Sequence, residues 1–155
     1  MANVEQLKLI KQGVERWNQW REQNSNIKPD LSESDLRQAY LQKANLSHAN
    51  LKETSLKKAK FQEANLQSAN LQSANLSGAS MLEANLQYAD LENTILKDAQ
   101  FSEDVLLNQT NLKGANLEGA TGLSSSQINL AITDKQTKLP DYLEEEMDDD
   151  FLLQM

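Results

Sequence analysis

Residues 64–80 read ANLQSANLQSANLSGAS, and this stretch decides the fold. Leu66, Leu71 and Leu76 recur at every fifth position, each preceded at two residues by an alanine (Ala64, Ala69, Ala74). Between the pair stands an asparagine. Working outward in both directions, the apolar series runs Leu31, Leu36, Leu41, Leu46, Leu51, Leu56, Phe61, Leu66, Leu71, Leu76, Met81, Leu86, Leu91, Leu96 and Phe101. The small series follows it through Ala39, Ala44, Ala49, Thr54, Ala59 and so on to Thr94 and Ala99.

A period of five suits neither regular element. Each helical residue turns about 100°, so five turn roughly 140° and the leucines spiral over every face. On a strand, an odd step puts successive leucines on opposite faces. The chain must instead turn once per repeat, so that each Leu and each small residue points to a common axis. Such coils stack through backbone hydrogen bonds about 4.8 Å apart. The three centres that are not Leu (Phe61, Met81, Phe101) are spaced by 20 residues. A coil of four pentapeptides stacks them in one internal column with Leu41.

Residues 36–50, LRQAYLQKANLSHAN, and 64–80 resemble the A(D/N)LXX motif of pentapeptide-repeat proteins. The resemblance covers about residues 29–122 and more than fifteen tandem copies. It implies an all-β solenoid, the right-handed quadrilateral β-helix of that family, and a protein of cyanobacterial type. The phase slips by one residue after Phe101: the next centres are Leu112 and Leu117, with Thr110, Ala115 and Ala120 as small partners. The segment SEDVLLNQ, 102–109, absorbs the extra residue, with Leu107 as centre and Val105 beside it. A local bulge is predicted there.

A solenoid exposes a coil edge at each end, so caps are expected. Val4, Leu7, Ile10, Val14 and Trp17 follow helical spacing, and Asn3 with Gln6 resembles a capping box. The spacing predicts one amphipathic helix over 4–22 within an N-terminal cap, 1–28. Gly13 inside it costs up to roughly 1 kcal/mol. Trp17 is expected to pack on the first coil, while Trp20 is open to packing or partner contact. Ser124 and Gln127 match a second capping box, predicting a short helix over 125–132 that caps the last coil with Leu123 and Ile132. That cap and its extension occupy 123–140. Beyond Pro140 the sequence becomes DYLEEEMDDDFLLQM, whose clustered acids predict a disordered tail over 141–155.

The chain has no cysteine, which excludes disulfides, thiolate metal sites and a cysteine nucleophile. The first residues carry no signal-like apolar run, and no stretch approaches the roughly 18 apolar residues that span a membrane. A cytoplasmic location is therefore the expectation. The net charge is −8: +1 for residues 1–30, −3 for 31–122 and −6 for 123–155. The net negative charge argues against direct nucleic-acid binding by phosphate neutralisation, and the nearly balanced repeat body argues against the strongly acidic rod of the family's DNA mimics.

The single histidine, His48, falls at an outward position with no base or orienting partner beside it. Metal-ligand pairs, a phosphate-cradling glycine loop and a nucleophile elbow are missing. The expected function is a non-enzymatic protein-interaction scaffold or regulator, monomeric, without cofactor or metal, with an unknown protein partner. The alternatives are a DNA-mimic modulator of DNA gyrase, known within the family, and membrane-surface association through the N-terminal helix. Stacking by 20 sorts the outward residues into columns: Lys43 over Glu63, Glu83 and Glu103; Arg37, Lys57 and Lys97; and an uncharged side with Ser47, His48, Gln67, Ser68, Gln87 and Tyr88. The candidate partner contacts are the outward apolar residues Leu82 and Ile95, and the tail residues Phe151, Leu152 and Leu153.

Overall fold

A computed structural model of the chain describes residues 1–147. Its body is a four-sided coil. Parallel bridges pair Asp30 with Asn50, Asp35 with Ser55, Tyr40 with Lys60 and Asn45 with Asn65, and each continues down the stack by 20 residues. One coil therefore holds four pentapeptides. Each straight side is so short that it contributes a single bridge rather than a run of paired residues.

The local chemistry of a repeat explains each of its positions. The Leu at the centre points inward and is buried in every repeat from Leu31 to Leu117. Its carbonyl accepts the N–H of the small residue three positions on, as Ala64 N–H does to Phe61 O at 2.9 Å. This closes a turn whose third residue has positive φ, as a type II turn requires. Lys43, Glu63, Tyr88 and ten other non-glycine residues of the body hold that strained position at φ of 56–62°, as does Gln109 at 57°. Gly78, Gly114 and Gly119 hold it without a Cβ to strain. Where an Asn or Asp precedes the centre, its side chain accepts the N–H two residues on, as Asn65 Oδ1 does from Gln67 N–H at 3.0 Å. Such side-chain turns are the reason for the Asn/Asp preference.

The small inward position is buried and crowded. Where Thr replaces Ala there, its hydroxyl finds a carbonyl inside the coil: Thr54 donates to Leu31 O at 3.0 Å and Thr110 to Leu86 O at 2.6 Å. No buried hydroxyl among these threonines is left unpaired, which keeps the substitution inexpensive. Leu41, Phe61, Met81 and Phe101 stack as one inner column, from 0 to 5% exposed.

The ladder changes register after Gln100. Asn85 bridges Leu106 and Asp90 bridges Asn111, offsets of 21 rather than 20 residues. The extra residue lies in Ser102–Val105, where Val105 N–H closes onto Ser102 O at 3.1 Å. Val105 and Leu107 point inward at 2% exposure, and Leu106 between them points out. Glu103 does not complete the column of Glu63 and Glu83: those two hold the positive-φ corner and Glu103 does not, and Glu83 N–H meets Ser102 Oγ at 3.0 Å.

The ends differ from the sequence expectation in four respects. First, the N-terminal cap is two helices, α1 (Val4–Lys11) and α2 (Val14–Gln23), rather than one. Gly13 separates them at φ 121°, a conformation open in practice only to glycine. Val4 is 61% exposed, outside the packed face formed by Ile10 and Trp17. Second, Gln6 does not close a capping box. Asn3 Oδ1 accepts from Glu5 and Gln6 N–H, but Gln6 Oε1 accepts from Asp30 N–H at 2.7 Å, on the first coil. Third, α3 (Ser125–Leu130) has its complete capping box, yet Ile132 is 37% exposed and bridges Asn111. Lys138 bridges Asn116 in the same way, so the ladder runs on past residue 122. Fourth, the segment expected to be disordered from 141 begins with a helix, α4 (Asp141–Glu146). Leu143 is fully buried, Met147 is 9% exposed, and Tyr142 Oη donates to Leu123 O at 3.1 Å. The rest of that expected tail lies outside the described residues.

Candidate functional site

Since the interior is filled with apolar side chains, chemistry or recognition must use the outside. Stacking places Arg37, Lys57, Ser77 and Lys97 along one corner, through the hydrogen bonds Gln38 N–H to Lys57 O, Lys58 N–H to Ser77 O and Gly78 N–H to Lys97 O. Arg37 is fixed by a two-pronged bond to Asp35, 2.8 and 2.7 Å, both side chains more than half exposed. That bond, first as a hydrogen bond and then as charge attraction, holds the Asp35 carboxyl down to about 2. At the other end of the corner, Lys97 and Lys138 flank Glu118 at 3.9 and 3.7 Å.

A second side is uncharged. Asn45, Asn65 and Asn85 stack there, beside Ser47, Gln67, Gln87 and Asn108. The Gln87 amide donates to Asn108 Oδ1 at 3.3 Å, so neighbouring coils are also linked by side chains. His48 is exposed on this side and occupies the positive-φ corner position, φ 60°. Of the predicted contacts, Ile95 is 40% exposed and stands between Asn75 and Asn116 in its column. Leu82 is only half-buried, on a different corner, so the structure does not bring the two together. Phe151, Leu152 and Leu153 lie outside the described residues. Among the described residues no group of three His, Asp or Glu is arranged to hold a metal ion, and no helix is long and apolar enough to cross a membrane.

At the N-terminal end Trp17 packs on the first coil as expected, and around it lie polar contacts that sequence reasoning missed. Trp17 is fully buried and its Nε1 donates to Asn45 O at 2.8 Å. Asn18 donates to Lys43 O at 3.0 Å and accepts from Asn45 N–H at 2.8 Å. Arg21 is 4% exposed and donates to Ile27 O at 2.7 Å and Ser47 O at 3.0 Å. Burial lowers its pKa, and the carbonyls rather than a carboxylate hold the guanidinium. α2 thus presents side-chain donors and acceptors where a preceding coil would present backbone. The only sequence signal was a run of polar residues, Asn18 and Arg21, flanking a tryptophan.

The repeat geometry accords with the sequence comparison. A family model described as pentapeptide repeats matches residues 30–67 and 59–98 in eight copies. The chain is a pentapeptide-repeat protein. Among solved structures it is similar to HetL, a pentapeptide-repeat protein involved in heterocyst differentiation regulation from the cyanobacterium Nostoc sp. strain PCC 7120. The two are 37% identical over 68% of this chain and 48% of that one, with a TM-score of 0.58. It is also similar to Rfr23 from the cyanobacterium Cyanothece 51142, at 34% identity over 73% of this chain and 66% of that one, TM-score 0.42. This pentapeptide-repeat chain spans about half the length of HetL. The likeness to HetL, with the family match, implies the right-handed quadrilateral β-helix expected from the motif. No curated protein matches the chain.

Proposed function

We propose that this pentapeptide-repeat protein acts by contact, as a non-enzymatic scaffold or regulator of one protein partner. The observation that carries this reading is the ordering of the outward side chains. A rigid, filled coil fixes a basic corner at Arg37, Lys57 and Lys97 and an uncharged flat side at Asn45, Asn65 and Asn85. Fixed patterned surfaces discriminate partners by complementary and clashing charges. HetL, with its regulatory involvement, supports the same reading.

The test is affinity capture with cross-linking, comparing the full chain with a form ending at Met147, followed by binding of the purified partner. A partner that binds directly and is lost on reversing Lys57 and Lys97 supports the proposal. No protein retained above control by either form contradicts it.

The basic corner stands against mimicry of duplex DNA, the alternative that would act on gyrase. A supercoiling assay in which micromolar protein inhibits or protects gyrase would reinstate that alternative. Membrane association is disfavoured because Ile10 and Trp17, the apolar face of the N-terminal helices, are already spent on the first coil.

A further inference from the structure

The cap pairs two sides of the first coil and leaves the other two open. Within the stack, the N–H of the residue before each inward centre donates to the preceding coil, as Lys60 does to Ala39 O at 2.9 Å. The first coil has no such neighbour. Asp30 N–H goes to Gln6 and Asn45 N–H to Asn18 instead. The equivalent groups on the remaining sides, Asp35 N–H and Tyr40 N–H, have no acceptor among the described residues, and the carbonyls of Asp35, Arg37 and Tyr40 have no donor there. These groups border a groove of about 340 Å³ that runs beside Gly13. Ile10, Leu36 and Leu41, all buried, form its apolar part, and Lys11 and Arg37 are its exposed cations. An unpaired strand edge beside an apolar groove is the arrangement that accepts an added strand.

We propose that this edge docks an extended segment as an additional strand, and that its occupant is the acidic-then-apolar segment DDDFLL, residues 148–153, of a second copy. Charge favours it. Lys11 and Arg37 stand at the groove, Lys57 and Lys97 continue the corner below, and Lys60 lies 4.9 Å from the Tyr40 ring centre. The acid at the groove is Asp35, already bonded to Arg37. The occupant brings three carboxylates and then Phe151 and Leu153, which an extended strand presents on one face, for the apolar part. Geometry favours a second copy over the chain's own segment. α4 packs against Leu123, at the opposite end of the rod. From Asp35 the ladder steps through Ser55, Asn75, Ile95 and Asn116 to Lys138, five spacings or about 24 Å, whereas the four residues from Met147 to Phe151 extend about 13 Å. The contact is head-to-tail, so it links copies in series rather than in a closed pair. It departs from the monomer expected from sequence. It also rests on the reading that the chain works by contact, but affinity capture judges that reading separately.

The test uses the full chain in sedimentation velocity over a rising concentration series at low salt, with a labelled synthetic peptide of residues 146–155 as probe. The proposal expects saturable peptide binding, self-association that free peptide disperses, and weakening of both by about tenfold in Lys11→Glu/Arg37→Glu, the loss typical of charge reversal at a docked acidic segment. Phe151→Ser/Leu153→Ser is expected to abolish self-association while leaving that variant able to bind the wild-type peptide. Thermal melts establish that each variant is folded. A chain that stays monomeric at millimolar concentration and binds no peptide overturns the proposal. So does association that survives the Phe151→Ser/Leu153→Ser change, which would mean that another surface, such as two open edges meeting, joins the copies.

Discussion

The side chain of Asn18 bonds the first coil as a neighbouring strand would: Nδ2 donates to Lys43 O at 3.0 Å, and Oδ1 accepts Asn45 N–H at 2.8 Å. A terminal coil needs such a substitute, because open edges recruit other chains. Asn18→Leu keeps the size and removes both bonds. It is expected to lower stability by about 1–3 kcal/mol, the range for a pair of backbone groups left unsatisfied. Urea unfolding of the two proteins measures it.

Gln127 provides a second staple, at the register shift. Its Nε2 donates to Ser102 O at 2.9 Å and Val105 O at 3.0 Å, and its Oε1 accepts Ser124 N–H at 2.9 Å. One side chain therefore starts α3 and satisfies the carbonyls of the extra-residue loop. Gln127→Leu is predicted to cost about 1–3 kcal/mol. Hydrogen exchange at Val105 and Leu106 should accelerate in that variant more than exchange at Asn65 or Asn70. Equal acceleration throughout would place the loss elsewhere.

The corner position predicts opposite outcomes for two substitutions. Tyr88 holds φ 60° with its side chain 60% exposed, a strained conformation for a bulky residue. Tyr88→Asn should raise stability by roughly 0.5 kcal/mol, since Asn tolerates that region. Gly114 holds φ 68°, and a Cβ there would collide with Asn93 Oδ1. Gly114→Ala should lower stability by about 1–2 kcal/mol. Thermal melting of both variants checks the pair of signs.

Acid should act on Asp35 in a defined direction. Its folded pKa, about 2, lies below the ordinary value because Arg37 bonds and attracts the charged form. A depressed carboxyl contributes stability that is present above its unfolded value, near about 4, and is lost as pH falls through the folded value. The stability difference between the wild type and Asp35→Asn should therefore shrink as the solution is acidified over that window. Carbon-13 titration of the Asp35 carboxyl should report about 2, and Arg37→Ala should raise it toward the usual carboxylate range, the backbone N–H of residue 37 still bonding it.

The coil was legible in the sequence because a period of five admits one solution, and the slip after Phe101 was legible because it broke that period. The ends were harder for physical reasons. The break at Gly13 left no trace in apolar spacing, since Ile10, Val14 and Trp17 keep helical intervals across it. Gln6 matched a helix-capping pattern, but the unpaired Asp30 N–H of a distant coil outcompeted the local donor. α4 was obscured by its own acids, although Leu143 and Met147, four apart, marked a buried stripe. The columns on the sides followed from simple addition of 20 until the extra residue displaced Glu103. The open edge at Asp35 and Tyr40 had no sequence signature, because it is defined by which side chains of another element fail to reach it.

That selective closure is the centre of the account: the cap seals two sides of the first coil and leaves two for a partner. Residue-resolved amide exchange of the four equivalent residues in the dilute full chain tests it most directly. Slow exchange at Asp30 and Asn45, held by Gln6 and Asn18, with fast exchange at Asp35 and Tyr40, is the predicted result. Comparable protection at all four amides would contradict it.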